Sequence, residues 1–164
     1  MIRQLNDDYL DEVMLLINEV IIEMNHNGID QWDAFYPNRA IIEQDIYEKC
    51  AYGYFDEAEV AGYLAINEVY APEYDELNWK HDKGEFLVVH RLAIRPDKQK
   101  KGIAKTLMNF VAFYAKQNGY KSIRLDAFPG NPGALRLYQS LAYHKTGSVQ
   151  FRKGLFFCYE KELL

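Results

Sequence analysis

The chain has few of the residues that mark secreted, membrane-spanning or metal-binding proteins. Only two of its 164 residues are cysteine, Cys50 and Cys158, and they have neither C-x-x-C spacing nor companion histidines. This argues against a zinc site and a disulfide framework, and it predicts reduced thiols in a cytoplasmic protein. No stretch approaches the roughly twenty apolar residues that a membrane span needs. Asn6, Asp7 and Asp8 stand where a signal peptide would continue, so none is expected.

Basic residues are fewer than acidic ones, 19 against 24. The formal net charge is −5, which argues against a nucleic-acid binder, because such proteins normally carry a basic excess on one face. It mildly favours cationic partners. What the chain does have is apolar surface to bury, since 49% of its residues are hydrophobic and 13 are tyrosine. We therefore expect a single domain over residues 1–164 with a sizeable core.

Apolar periodicity predicts the order of helices and strands. The predicted elements are a strand at 2–5, a helix from Asn6 to Gly28, a helix capped by Asn38, a hairpin at 52–55 and 60–69, a surface loop at 70–84, a strand at 85–94, a helix at 102–118, a strand at 122–128, a short helix at 131–141, and closing strands at 143–151 and 155–163. The strand at 85–94 is almost continuously apolar, which predicts a place near the middle of the sheet. With the next helix and strand it forms a βαβ unit.

The segment from residue 90 to 106 runs from an apolar strand through a basic loop into a helix. A helix that starts in a glycine-containing turn aims several unpaired N–H groups at one point, where the macrodipole adds positive charge, and such a point binds phosphate. Gly102 would let a ligand approach the backbone closely. Mobile cations for further phosphate groups come from Lys100, Lys101 and Lys105.

Two other phosphate-binding motifs do not fit this loop. A P-loop needs paired glycines and an adjacent Gly-Lys-Ser/Thr, which are missing here. A dinucleotide fingerprint needs three glycines and an acid after the following strand, which are also missing.

A second motif reads Asn-Pro-Gly-Ala-Leu-Arg-Leu-Tyr-Gln-Ser-Leu-Ala-Tyr over residues 131–143. Together with Leu-Ala-Ile-Arg-Pro at 92–96 and Gln-Lys-Lys-Gly-Ile-Ala at 99–104, it resembles the GNAT superfamily of acetyl-CoA-dependent N-acetyltransferases. The order of the other predicted elements agrees with that fold, so the resemblance covers nearly the whole chain. The one departure is Ala142, where the family often has glycine. The resemblance implies an α/β, three-layer fold whose mixed, mostly antiparallel sheet of about six or seven strands is flanked by about four helices.

The resemblance also implies how acetyl-CoA is held. Main-chain groups of three strand residues would bind the pantetheine arm, and the basic loop would bind the pyrophosphate. Asn131 would form a hydrogen bond with the coenzyme. The implied coenzyme-binding residues are Leu92, Ala93, Ile94, Gln99, Lys100, Lys101, Gly102, Ile103, Ala104, Lys105, Asn131 and Tyr138.

Two residues carry the implied chemistry. A neutral amine attacks the acetyl carbonyl directly, and Tyr138 gives a proton to the departing thiolate. His90 is predicted to take the proton of the amine, because histidine is the side-chain type suited to proton transfer near neutral pH and this one would share a strand face with Leu92 and Ile94. Members of the family use a histidine here, a glutamate elsewhere or a water chain. The alternatives are a core aromatic ring for Tyr138 and a hydrogen-bonded core histidine for His90.

Further residues have weaker predictions. Arg91 and Asp126 are predicted to form a structural ion pair between adjacent strands. Trp32, Tyr36 and Glu76 are candidate walls of the pocket for the amine, since aromatic rings and acids suit a cation. The alternative is two packed rings and a solvated acidic loop.

The predicted function is acetyl transfer from acetyl-CoA to a primary amine of a small molecule or peptide, by a monomer or homodimer without nucleic-acid or membrane partners. Small amines, amino acids, antibiotics and peptide amino termini all remain open as acceptors. One alternative is a degenerate acyl-CoA-binding sensor that does not turn over. Another is a protein-interaction module, which an exposed apolar patch would indicate.

Overall fold

The computed structural model describes all 164 residues, which form seven strands and four helices. In chain order the elements are β1 (Ile2–Gln4), α1 (Leu10–His26), α2 (Arg39–Tyr47), β2 (Ala51–Asp56), β3 (Glu59–Asn67), β4 (Phe86–Ile94), α3 (Ile103–Gln117), β5 (Ser122–Ala127), α4 (Pro132–Ser140), β6 (His144–Phe151) and β7 (Gly154–Glu162). The strand order is β1-β2-β3-β4-β5-β7-β6, with β4 in the middle. The β4–β5 pair is parallel, whereas the β1–β2, β2–β3, β5–β7 and β6–β7 pairs are antiparallel. The predicted fold class is confirmed.

Capping residues explain where the helices begin. The side chain of Asn38 accepts a hydrogen bond from the N–H of Ile41 at the start of α2, as its N-cap role predicts. Asn6 does the same for Asp8, but the residues it caps form a short 3-10 turn that leads into α1. Gly28 follows α1 with a left-handed backbone, as expected of a helix C-terminus.

The chain divides into two compact units. Unit 1 comprises Met1–Ile66 and His90–Phe110, and unit 2 comprises Asn67–Val89 and Val111–Leu164. The expectation of a single domain over residues 1–164 stays a prediction. None of the helices has the length and apolar character that crossing a bilayer requires.

The core of unit 1 forms under α1. Its buried residues recur at helical spacing, which puts one apolar stripe against the sheet; they are Leu10, Val13, Leu16, Ile17 and Val20. Gly62 on β3 allows α3 to pack closely, because a Cβ there would meet Ile103 and Leu107 at 3.1 and 3.0 Å.

Unit 2 buries part of a segment that the sequence predicts to be a surface loop. Residues 70–84 contain a 3-10 turn, Pro72–Glu76, and both Tyr74 and Trp79 are buried. The prediction is wrong here because the segment has partners on β5: the hydroxyl of Tyr74 donates to Asp126 at 2.7 Å, and the ring of Trp79 covers the side chain of Arg124. Its guanidinium lies 4.3 Å from the ring centre of Trp79 and donates to the carbonyl of His81 at 2.6 Å. Ring faces and a carbonyl together compensate a buried charge.

Candidate functional site

The loop between β4 and α3 has an internal framework of hydrogen bonds. After β4, Pro96 opens a 3-10 turn, Pro96–Lys98. The side-chain amide of Gln99 donates to the carbonyl of Ile94 at 3.1 Å, and its backbone N–H donates to Pro96 at 3.4 Å. Gln99 therefore holds the loop in shape, and its own N–H is already engaged within the loop.

Two left-handed residues shape the rest of the loop. Lys100 has φ 61° and Gly102 has φ 84°. The carbonyl of Gly102 accepts from both the N–H and the hydroxyl of Thr106 at 3.0 Å, so α3 begins directly after the glycine. The first N–H groups of α3 have no acceptor within the helix. A Cβ on Gly102 would meet nothing within 4 Å. Glycine is therefore favoured here by the left-handed backbone and not by lack of space for a side chain.

The cations of this loop fall into two groups. Arg95 pairs with Glu59 at 3.0 Å, and Lys98 pairs with Asp56 at 2.6 Å. That hydrogen bond lowers the pKa of Asp56 and raises the pKa of Lys98. The remaining cations are exposed and form no ion pair with a protein group; they are Lys100, Lys101 and Lys105. Their charge is available to an anionic ligand.

Arg91 interrupts the regular geometry of β4. Its φ of 57° is left-handed, which few residues other than glycine adopt. Such a residue breaks the two-residue alternation of a strand. The prediction that His90 shares a face with Leu92 and Ile94 assumes that alternation, which Arg91 interrupts, and it stays a prediction. His90 itself is half-buried.

The ion pair predicted between Arg91 and Asp126 is wrong. Arg91 instead binds Asp45 on α2 through two hydrogen bonds, from Nε to Oδ2 at 2.8 Å and from the terminal nitrogen to Oδ1 at 2.5 Å. Burial has the largest single effect and lowers the pKa of Arg91, but the hydrogen bonds and electrostatic interactions with Asp45 and Tyr36 together outweigh it, so the pKa is raised. Asp126 accepts from the hydroxyl of Tyr74 at 2.7 Å.

Asp45 is the residue that sequence reasoning missed in this network. It is 4% exposed and also accepts from the hydroxyl of Tyr63 at 2.5 Å. The available signal is its position, because Asp45 falls on the apolar stripe of α2 beside Ile42 and Ile46. An acid on a buried stripe needs a cationic or hydrogen-bonding partner.

The candidate walls of the amine pocket lie in different surroundings. Trp32 is 5% exposed within the core of unit 1, as the packed-ring alternative expects. Tyr36 is exposed, and its hydroxyl accepts from Arg91 at 3.1 Å. Glu76 is an exposed residue at the end of the 3-10 turn of unit 2.

The second motif forms α4 and its two ends. The side-chain oxygen of Asn131 accepts from the N–H of Ala134 at 3.3 Å and caps the helix. At the other end, Ala142 has φ 65°, and the N–H of Tyr143 donates to the carbonyl of Tyr138 at 3.0 Å. The asparagine therefore has a structural role in addition to the predicted one toward the coenzyme.

Tyr138 lies in an aromatic cluster of unit 2. Its ring is 7% exposed and meets Tyr143 edge to face, with ring centres 5.9 Å apart. Burial raises the pKa of Tyr138, and the charge of Asp126 raises it further. A raised pKa keeps the phenol protonated, which is the state a proton donor needs.

The predicted site residues are shared between the two units. Unit 1 contains Trp32, Tyr36, His90, the strand residues 92–94 and the loop residues 99–105, and unit 2 contains Glu76, Asn131 and Tyr138.

Comparison with known proteins identifies the family to which the chain is similar. A model of the acetyltransferase (GNAT) family matches residues 19–143. A GNAT-family acetyltransferase from Streptococcus agalactiae is 28% identical, with a TM-score of 0.88 over 99% of this chain and 94% of that one. The PaiA N-acetyltransferase of Thermoplasma acidophilum, solved in complex with coenzyme A, shares the fold at 16% identity, with a TM-score of 0.77 over 99% and 98% of the two chains.

A curated relative matches a shorter region. Human N-acetyltransferase 8 is 34% identical over 65 residues, which is 40% of this chain and 29% of the length of that relative. The family match covers most of the chain and contains the basic loop and both ends of α4. The chain belongs to the GNAT family of acetyltransferases.

Proposed function

We propose that this protein transfers the acetyl group of acetyl-CoA to a primary amine of a small molecule or peptide by direct attack. The observation that carries the proposal is the loop before α3, where free N–H groups at a helix start lie beside lysines without ion pairs. Backbone donors and unpaired cations together suit a pyrophosphate. The residues assigned to it are Lys100, Lys101, Gly102, Ile103, Ala104 and Lys105, with Gln99 shaping the loop.

The strand residues before the loop are assigned to the pantetheine arm. Main-chain groups of Leu92, Ala93 and Ile94 would bind it as an added strand binds a sheet edge. Asn131 is assigned a further hydrogen bond to the coenzyme.

Two proton transfers accompany the reaction. The amine nitrogen bonds to the acetyl carbon, the carbon–sulfur bond breaks, and the acetyl group leaves the thiol. His90 accepts the proton that the amine loses, and Tyr138 donates a proton to the sulfur. The raised pKa of Tyr138 supports this role, because burial keeps the phenol protonated to a higher pH than an ordinary tyrosine.

The test is a screen of amine acceptors that follows release of the free thiol, with wild type compared with Tyr138→Phe. We expect turnover by wild type and a loss in kcat of about 10²-fold or more in the variant, with acetyl-CoA binding retained in calorimetry. Tyr143→Phe is the matched control. Its ring neighbours that of Tyr138, and the substitution removes a buried hydroxyl that forms no hydrogen bond.

Each other outcome has a clear meaning. An unchanged rate in Tyr138→Phe across the pH range would contradict the role of Tyr138 as proton donor. An unchanged rate in His90→Ala would contradict the role of His90 as base. Binding of acetyl-CoA without thiol release for any amine would identify a sensor instead of an enzyme. Absence of binding at millimolar acetyl-CoA would contradict both functions.

A further inference from the structure

Tyr36 is an exposed residue whose position is nevertheless fixed from several directions. Tyr36 is 37% exposed. Its backbone N–H donates to the side chain of Asp33 at 3.1 Å, and its carbonyl accepts from the N–H of Asp33 at 3.0 Å. Its hydroxyl accepts from Arg91 at 3.1 Å. Both the backbone and the hydroxyl of an exposed tyrosine are therefore held in place.

The group that holds the hydroxyl is itself rigid. The side chains of Arg91 and Asp45 are 11% and 6% exposed, and two hydrogen bonds join one edge of the guanidinium to the carboxylate. Such a two-point contact fixes the plane of the guanidinium. Since that plane is fixed, the remaining nitrogen points in one direction, and Tyr36 receives its hydrogen bond from there.

Hydrogen-bond chemistry then decides what the Tyr36 hydroxyl can offer. A guanidinium only donates, so Arg91 must use a lone pair of the phenol oxygen. The phenol proton is left to donate elsewhere, and the only hydrogen bond of the hydroxyl within the protein is the one it accepts from Arg91. A neighbouring cation polarises the O–H group and strengthens it as a donor. Because Asp45 balances the charge of Arg91, the surface offers a strong neutral donor rather than a positive charge.

Position along β4 places this donor near the proposed chemistry. Arg91 directly follows His90, the proposed base, and directly precedes the strand residues assigned to the pantetheine arm. Through the side chain of Arg91, the hydroxyl of Tyr36 is therefore tied to the stretch of β4 that contains the proposed base and the residues assigned to the pantetheine arm.

We propose that Tyr36 selects the acceptor by donating a hydrogen bond to a carbonyl or carboxylate oxygen near its amine, so that the substrates are α-amino acids, their amides or peptide amino termini. This inference rests on the proposed function. It disfavours plain alkyl amines and polyamines, because these have no oxygen to accept from Tyr36 and leave its donor unpaired.

The test compares three acceptors of similar size in wild type and Tyr36→Phe. L-alanine amide and L-alanine each have the oxygen, as carbonyl and as carboxylate, and isopropylamine has none. Rates are compared at equal concentrations of neutral amine. We expect wild type to prefer alanine amide or alanine, and we expect the variant to lower the ratio of kcat/KM between the preferred acceptor and isopropylamine about tenfold. Loss of folded protein would not change this ratio.

Tyr47→Phe is the matched control, because Tyr47 is 80% exposed in the same unit and its hydroxyl forms no hydrogen bond with the protein. The relative rates of alanine amide and alanine distinguish a peptide-like substrate from a free amino acid. An unchanged ratio in Tyr36→Phe overturns the inference, as does acetylation of other amines but none of these three, and in both cases the proposed function stands. Absence of thiol release with every amine removes the proposed function itself.

Discussion

Five residues other than glycine have a left-handed backbone, and their side chains differ in what they gain from it. They are Lys49, Glu57, Arg91, Lys100 and Ala142. This conformation costs an L-residue roughly 1–2 kcal/mol relative to a right-handed one. Arg91 compensates through its bond with Asp45, and Lys100 contributes a cation to the loop before α3. Ala142 has no polar side chain and gains nothing comparable.

We therefore predict that Ala142→Gly stabilises the protein. Relief of the left-handed strain exceeds the entropy cost of glycine in the unfolded chain, so the free energy of unfolding should rise by about 0.5–1 kcal/mol. Urea denaturation measures this. Ala134→Gly within α4 is the control and should lower the free energy of unfolding by a similar amount. If Ala142→Gly lowered the free energy of unfolding as Ala134→Gly does, the assignment of strain to Ala142 would be contradicted.

Asp45 provides a second prediction at a single residue. Asp45→Asn leaves the buried guanidinium of Arg91 without its counter-charge, so the free energy of unfolding should fall by about 3–5 kcal/mol. Asp11→Asn breaks an exposed pair with Arg39 whose side chains are 87% and 54% exposed, and it should cost less than about 1 kcal/mol. Similar losses in both variants would show that burial of the Arg91 pair does not matter.

The raised pKa of Tyr138 predicts the shape of the pH profile. A proton donor acts in its protonated form, and a pKa above the ordinary tyrosine value of about 10 extends that form to higher pH. The kcat at saturating amine should therefore show no descending limb from Tyr138 as pH rises from 8 to about 10. A descending limb in that interval that Tyr138→Phe abolishes would mean that the phenol ionises more easily than its burial predicts.

At the scale of elements, the local sequence was sufficient to predict a helix or strand wherever a capping residue or a regular apolar period marked where it begins or ends. The Asn38 cap of α2, the Asn131 cap of α4 and the Gly119 end of α3 were all predictable from sequence. The left-handed residue inside β4 was not, because an arginine in an apolar strand carries no local sign of it. The burial of Tyr74 and Trp79 also escaped prediction, since it depends on Asp126 and Arg124 in β5, which is distant in the sequence.

The division of cations in the loop before α3 gives a prediction for this element. Lys101→Gln removes an unpaired charge and should raise the KM for acetyl-CoA by up to about fivefold at low ionic strength. The difference from wild type should shrink toward 1 M salt, where the Debye length is about 3 Å. Lys83→Gln removes the same charge from an exposed loop of unit 2, and its KM should match wild type. A salt-independent rise in KM would point to altered loop structure.

At the scale of the whole molecule, the fold was predictable because alternating periods, a βαβ unit and two motifs all agree with one architecture. The proposed acceptor class was not, because the contacts from which we infer it join residues that are far apart in the sequence. The hydrogen bond from Arg91 to Tyr36 joins positions 55 residues apart, and the pair with Asp45 joins positions 46 apart. No spacing rule connects such positions.

Binding of acetyl-CoA should stabilise the whole molecule. A ligand at one hundred times its dissociation constant adds about 2.7 kcal/mol to the free energy of unfolding. For a chain of this length that corresponds to a rise in Tm of about 5–10 °C, which differential scanning fluorimetry can measure. Gly102→Val should reduce the rise, because valine strains the left-handed turn before α3. If acetyl-CoA raised the Tm of Gly102→Val as much as that of wild type, the conformation of this loop would not matter for coenzyme binding.

The division of the chain between its two units also has a consequence for biosynthesis. Each unit is built from two separate segments, and the chain passes from one unit to the other three times, at the end of β3, within β4 and within α3. No single cut can therefore release either unit as an uninterrupted fragment. During translation, unit 1 acquires all of its residues once Phe110 has been added, whereas unit 2 waits for β7. Fragments intended for separate expression should be chosen by this order of completion, with residues 1–110 as the shortest amino-terminal fragment that contains a whole unit.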